Sequence, residues 1–155
     1  MVKFKTMTED EYEDYYNFAI KNYAREKIEA GNWSEEDAEE KSRKIFNKLL
    51  PDGTDTENHY LFSIYDNENH IGYIWFRVME ENNNIAFLND IVIFEEYRGK
   101  GYGKETMKLL EKKVGELDCS KIQLHVFGHN EVAVSLYKKL NYEVTNYRME
   151  KDINR

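Results

Sequence analysis

The sequence predicts an α/β fold with a mixed central sheet, and three features predict it. Periodic segments follow the order β-α-α-β-β-β-α-β-α-β, which implies a strand-helix-strand crossover in the second half. A length of 155 residues suits one compact domain, able to bury roughly 70% of the surface its unfolded chain exposes. A composition of 41% hydrophobic and 14% aromatic residues with one proline belongs to a structured chain without repeat or linker.

Val2-Lys3-Phe4-Lys5 alternates as a short strand does. Thr8-Glu9-Asp10-Glu11 then has the form of a capping box, so a helix begins there, carrying Tyr12, Tyr15, Tyr16, Ala19, Tyr23 and Ala24 to a stop at Gly31. The default role of this stripe is packing. Ser34 with Asp37 suggests a second N-cap, followed by the face Ala38, Ser42, Ile45, Phe46 and Leu49 until Pro51-Asp52-Gly53. Tyr60-Leu61-Phe62-Ser63-Ile64-Tyr65 and the run from Ile71 to Val78 read as an antiparallel hairpin across Asp66-Asn67-Glu68-Asn69. A polar turn, Glu81-Asn82-Asn83-Asn84, leads to a buried strand over residues 85–93. After a glycine loop come a helix with Met107, Leu110, Val114 and Leu117, a strand over 122–126, a helix with Ala133, Leu136, Tyr137 and Leu140, and a last strand over 142–149.

Charge and cysteine content narrow the function classes. Thirty acidic against 22 basic residues give a net charge of -8, which disfavours a generic nucleic-acid binder held by phosphate contacts. No apolar run reaches the roughly 18 residues that span a bilayer, and the segment from Met1 to Thr6 has no apolar signal core. The expectation is a cytoplasmic protein without membrane contact. Cys119 is the single cysteine, so an internal disulfide and a cysteine-rich metal site are both excluded. The four histidines form no metal-binding spacing, and no metal is expected.

The informative segment is Arg98-Gly99-Lys100-Gly101-Tyr102-Gly103-Lys104, between a predicted strand and a predicted helix. Glycines admit close approach of a phosphate, the helix N-terminus offers partial positive charge, and Arg98, Lys100 and Lys104 add full charge. This pattern fits a polyphosphate. Glu105 after Lys104, and Arg98 at the first glycine position, break the Walker A pattern. Glycines spaced by two, late in the chain, also miss the dinucleotide fingerprint.

Over roughly residues 62–149 the sequence resembles the GCN5-related N-acetyltransferase (GNAT) superfamily. Its coenzyme A loop reads Arg or Gln, two residues, Gly, one residue, Gly or Ala, filled by Arg98, Gly101 and Gly103. Asn130 at a helix start and Tyr137 seven residues later match a second motif, and Asn141 stands where the family commonly has Gly. The whole chain also resembles small uncharacterised bacterial acetyltransferases. The resemblance implies a mostly antiparallel sheet with splayed central strands, in a single domain over 1–155. Residues 1–58 would form the acceptor side and 59–155 the acetyl-CoA side. It further implies that main-chain groups of Ile91, Val92 and Ile93 hold the pantetheine arm. The loop Gly99, Lys100, Gly101, Tyr102, Gly103 and Lys104 would hold the pyrophosphate, and Asn130 would touch pantetheine or steady the splay.

Direct acetyl transfer to a primary amine, in a ternary complex, needs one proton removed from the ammonium and one supplied to the thiolate. Tyr137 is the candidate for the second, and an Ile91-region N–H for the oxyanion. His125 occupies the position where some family members carry a Glu base. Asp90, Asn89 and water are the alternatives, and strand alternation sets Asn89 and Asp90 on opposite faces. The acceptor is a small-molecule amine or a protein or peptide amine, with Tyr16, Tyr23, Trp33, His59, Tyr60 and Trp75 as candidate lining. A homodimer is common in similar proteins. A noncatalytic acyl-CoA-binding module is the alternative function. Residues 1–96 hold 22 acids and 10 bases, and residues 97–155 hold 8 and 12, so a phosphate-binding side is separated from an acidic side suited to an amine.

Overall fold

The computed structural model describes residues 1–153. β1 (Val2–Thr6) leads into α1 (Glu9–Glu29) through the expected capping box: Thr8 Oγ1 accepts from the Glu11 N–H at 3.1 Å, and the Thr8 N–H donates to Glu11 Oε1 at 3.0 Å. Two amides of the helix start are thereby satisfied. α2 (Ala38–Leu49) starts after Asp37, which makes no side-chain cap; Ser34 Oγ instead donates to Asp37 Oδ1 at 3.2 Å. β2 (His59–Asp66) and β3 (Asn69–Met79) form the hairpin, with Asn67 in the left-handed region. A single helical turn, α3 (Glu81–Asn84), replaces the plain polar turn before β4 (Ile85–Ile93). α4 (Tyr102–Glu116), β5 (Lys121–Leu124) and α5 (Glu131–Lys139) complete the order.

Among the described residues five strands lie in chain order, antiparallel throughout except for the parallel pair β4–β5. Helices cover both faces. On one, Tyr15, Ala19 and Ile20 of α1 and Phe46 of α2 pack with Leu61, Tyr73, Trp75 and Val92. On the other, Met107, Leu110 and Val114 of α4 and Tyr137 of α5 pack with Ile64, Ile74, Phe76, Ala86 and Leu88. Each of the buried Val, Leu, Ile, Phe and Met side chains stabilises the fold by about 1.5–3 kcal/mol relative to exposure.

Two irregularities of β4 shape the sheet where these layers meet. β5 pairs with β4 only from Ile85↔Lys121 to Leu88↔Leu124, whereas β4 continues to Ile93, so the sheet opens beyond Leu88. The register against β3 also slips, from Phe76↔Leu88 to Trp75↔Asp90, leaving Asn89 as an extra residue. Leu88 and Ile91, three apart, consequently pack into the same layer, and Asp90 turns toward α1. The alternation expected for Asn89 and Asp90 is thus corrected by a bulge. Gly72 permits the close approach of β3, since a Cβ there would lie 1.9 Å from the Val92 carbonyl oxygen.

Two expectations about the C-terminal third change. Residues 142–149 form no strand: Val144 sits at an even position and Tyr147 and Met149 at odd ones, so no single face of that segment is apolar. His125 falls just beyond β5, which ends at Leu124. Asn141 takes the left-handed conformation (φ 70°) that Gly commonly supplies, one that Asn adopts more readily than other side chains.

Candidate active site

The glycine loop joins β4 to α4. Arg98 Nε donates to the Ile93 carbonyl at 2.8 Å, so this side chain ties the loop back to the strand end. Gly99 and Gly101 are left-handed (φ 75° and 85°), and a Cβ on either would meet nothing within 4 Å. They need glycine for conformation and have open space around them. Gly101 is the N-cap of α4 and no side chain caps that end, which leaves first-turn amides and the positive end of the helix dipole for an anion. Tyr102 donates its hydroxyl to Asp66, whose other oxygen binds the Met1 ammonium at 3.0 Å, fixing the helix start to β2. Gly103 differs from the other two: a Cβ there would approach Leu136 Cδ2 at 3.3 Å, so it lets α4 pack on α5. Lys104 is exposed, and Lys100, also exposed, sits 5.8 Å over the Tyr97 ring.

Along β4 the main-chain groups divide by parity. The Phe94 N–H donates to the Ile71 carbonyl at 2.8 Å, continuing the β3–β4 ladder. In an antiparallel ladder the bonded residues alternate, so Val92 and Asp90 direct their main-chain groups to β3, and Ile91 and Ile93 direct theirs into the opening.

A cleft of about 320 Å³ occupies that opening, and its lining includes Tyr23, Glu26, Asn89, Asp90, His125 and Tyr137. Tyr15 donates its hydroxyl to Asp90 Oδ2 at 2.7 Å. Burial pushes the Asp90 carboxyl up to about 6; the Tyr15 hydrogen bond opposes this, the Glu26 charge adds to it, and an Ile91 amide hydrogen bond opposes it again. Glu26, held by Asn22 Nδ2 at 3.3 Å, is itself raised by burial, with His129 countering. Burial, then the charges of Asp90 and Glu26, push the Tyr137 phenol up to about 12, so it stays protonated near neutrality. Asn89 Oδ1 is buried without a partner.

His125 is exposed at the cleft rim, edge-on to Phe127 at 5.1 Å. Asn130 lines the cleft and caps α5, its Oδ1 accepting from the Ala133 N–H at 3.1 Å. Of the six candidate lining aromatics and histidine, Tyr23 and Trp75 reach the cleft. Tyr16 bonds Asn47, Trp33 packs edge-on against Tyr23, His59 accepts from Trp75 Nε1 at 2.9 Å, and Tyr60 stacks on Phe76 in the other layer. Tyr15 and Glu26 are the residues that sequence reasoning missed. The first looks like a packing residue and the second like one more acid on a solvated helix, and no local signal marks either.

Among the described residues no cluster of three or more His, Cys, Asp or Glu side chains could hold a metal, and no helix is long and apolar enough to cross a membrane. A sequence profile of the acetyltransferase (GNAT) family matches residues 7–142. Two uncharacterized N-acetyltransferases of Bacillus subtilis are similar over nearly their whole length. YycN is 37% identical over 149 residues, covering 95% of this chain and 96% of that one, and YdgE is 35% identical, covering 95% of each. The crystal structure of YycN superposes with a TM-score of 0.96 at 33% identity, over 100% of both chains.

Proposed function

The chain belongs to the acetyltransferase (GNAT) family and is an N-acetyltransferase, and we propose that it transfers acetyl from acetyl-CoA directly to a cationic primary amine seated against Asp90. One observation carries this reading: a half-buried carboxyl poised near neutrality shares a cleft with a protonated phenol, where the sheet opens beside the glycine loop. The donor side fits a coenzyme A: two left-handed glycines in open space and an uncapped helix start suit the pyrophosphate. The outward main-chain groups of Ile91 and the Ile93 N–H, the Ile93 carbonyl being taken by Arg98, suit a pantetheine arm running like an added strand. When bound, acetyl-CoA supplies the activated acetyl thioester. In this reading residues 1–155 act as one domain in which residues 1–58 contribute Tyr15 and Glu26 to the acceptor side.

Just above neutrality Asp90 is mostly ionised and accepts the proton of the incoming ammonium, directly or through one water. Tyr15 holds the carboxylate in place. The freed amine nitrogen bonds to the acetyl carbon as the carbon–sulfur bond breaks; Tyr137 donates a hydrogen bond to the departing sulfur, which leaves as the thiol by taking up the proton that the new amide nitrogen sheds. Asp90 and Glu26 give the acceptor side a negative field that favours a cation over an anion. Exposed at the rim, His125 meets the amine before the chemistry, and Asp90 takes the base role between them.

The test is thiol release from acetyl-CoA in the presence of small amines, polyamines, N-terminal peptides and lysine peptides. Turnover with cationic amines supports the reading. Stabilisation by acetyl-CoA, about 2.7 kcal/mol at a hundredfold excess over Kd, with no thiol release for any acceptor would instead indicate a noncatalytic acyl-CoA-binding module.

A further inference from the structure

Beside the acceptor cleft, aromatic rings from three parts of the chain converge on one ammonium. Tyr23 lies on α1, Trp33 in the α1–α2 connection and Phe127 in the segment after β5, and Lys27 Nζ stands 5.7, 5.4 and 5.9 Å from their ring centroids. Tyr23 and Lys27 meet because positions four apart share a helix face, but Trp33 and Phe127 are brought there by the fold. Tyr23 in turn meets Trp33 edge-on at 5.7 Å and Phe127 at 6.3 Å, so the rings form a cage around the ammonium. The negative faces of such rings attract a cation. No carboxylate holds Lys27: among the described residues it forms no ion pair, whereas Lys41, 5.8 Å over Trp33, is paired with Asp37 at 3.4 Å.

The cage and the cleft share two walls. Tyr23 and Phe127 line the cleft, while Trp33 does not and closes the cage behind Tyr23. After burial, the Glu26 charge pushes up both the Tyr23 phenol and the Asp90 carboxyl, so one carboxylate acts on both places. Building on the acetyl-transfer reading, we propose that the cage is a second cation seat of the acceptor site. The acceptor then carries two ammonium groups, a reacting one at Asp90 and a distal one that replaces Lys27 among Tyr23, Trp33 and Phe127. Lys27 holds the seat until the acceptor arrives. Its ammonium rides on a flexible stem, and the cavity of about 560 Å³ that it lines with Glu29 gives it room to withdraw toward that exposed carboxylate. A neutral alkyl tail gains none of the ring attraction, and a carboxylate tail meets the Glu26 charge. The seat therefore selects acceptors by the charge at the end away from the chemistry, which Asp90 alone does not read.

Calorimetry on the full chain in the presence of free coenzyme A, which has no acetyl group to transfer, reads the seat independently of turnover. The probes are α,ω-diaminoalkanes of increasing length, alkylamines of matching length and ω-amino acids. At the best length the diamine should bind about threefold to thirtyfold more tightly than the alkylamine, the range that a cation–π contact spans from exposed to desolvated. Trp33→Leu should abolish that advantage and Trp33→Phe restore most of it, with thermal melts showing that both variants are folded. Lys27→Ala, which empties the cage, should enlarge it. No diamine advantage in the parent chain would overturn the inference, as would an advantage that survives Trp33→Leu. Preferred binding of ω-amino acids, lost in Lys27→Ala, would overturn it as well, by making Lys27 the group that faces the acceptor. Thiol release from acetyl-CoA with alkylamines but no diamine advantage would leave the acetyl-transfer reading standing without the cage. A diamine advantage with no thiol release from any amine would do the reverse.

Discussion

The glycine loop and the Asp90 cleft lie next to each other but are built by different means. The loop is made from seven consecutive residues, and it offers main-chain amides and exposed cations on an open surface. The cleft is made from side chains of α1, α2, β3, β4, the end of β5, the segment after it and α5, with two carboxyls raised by burial. Backbone recognition at the loop is indifferent to what the donor's acetyl group will meet. The cleft sets the charge and proton chemistry of the acceptor. The contrast predicts that loop substitutions change donor affinity and leave the pH profile alone, whereas cleft substitutions do the reverse.

The largest effect is expected from Asp90→Asn. Removing a general base should lower kcat/KM by about 10²–10⁴-fold above pH 7, with acetyl-CoA affinity unchanged, and abolish an acidic limb near pH 6. That limb should persist in His125→Gln; its loss there would move the base to His125. Stability should respond in the opposite sense to activity. A carboxyl raised from 3.8 to about 6 on folding stabilises the native state fully below its unfolded value, and that contribution is lost as pH rises through about 6. Asn never ionises and still accepts the Tyr15 hydrogen bond, so Asp90→Asn should be more stable at pH 8 by about 2–3 kcal/mol and equal to the parent near pH 4. Thermal melts at the two pH values check this.

Tyr137→Phe comes next. Losing one hydrogen bond to a charged group corresponds to about 10- to 100-fold in kcat, with no change in the Kd for acetyl-CoA. Unchanged turnover would return Tyr137 to a packing role. Gly101→Ala is the loop's counterpart. A methyl there meets open space, so the cost is left-handed strain alone, about 1–2 kcal/mol, and acetyl-CoA should bind about tenfold more weakly. A shifted pH limb in this variant would show that loop and cleft are not separable.

The same contrast explains what was legible in the sequence. Gly99, Gly101, Arg98 and the strand-loop-helix setting are contiguous, so their pattern survives in one dimension. The capping box at Thr8 and Glu11 and the hairpin across Asn67 are local for the same reason. The cleft depends on where β5 stops and on one extra residue at Asn89. The first is settled by the pairing of β4 with β5 and the second by the register of β4 against β3, and neither leaves a periodic trace. Tyr15 lies 75 positions from the carboxyl it holds, and its neighbours make it read as core. The expected last strand failed because Val144 and Tyr147 differ in parity, so the segment has no single apolar face.

Glu26→Gln gives the smallest effect and the finest resolution of the comparison. Glu26 does two things to the cleft: it adds negative charge that draws a cationic acceptor, and it raises the Asp90 carboxyl by like-charge repulsion. Neutralising it should weaken acceptor binding, raising KM about threefold to fivefold, as a charge interaction of about 0.5–1 kcal/mol implies. It should at the same time move the acidic limb to lower pH, because ionised Asp90 loses an unfavourable neighbour. A purely structural role for Glu26, through its hydrogen bond from Asn22, would alter stability without moving the limb. A KM that rises for cationic and neutral amines alike would locate the effect in the shape of the cleft. A rise confined to cationic amines, together with a lower limb and an unchanged Kd for acetyl-CoA, would assign acceptor charge selection to Glu26 and leave the loop as a separate donor site.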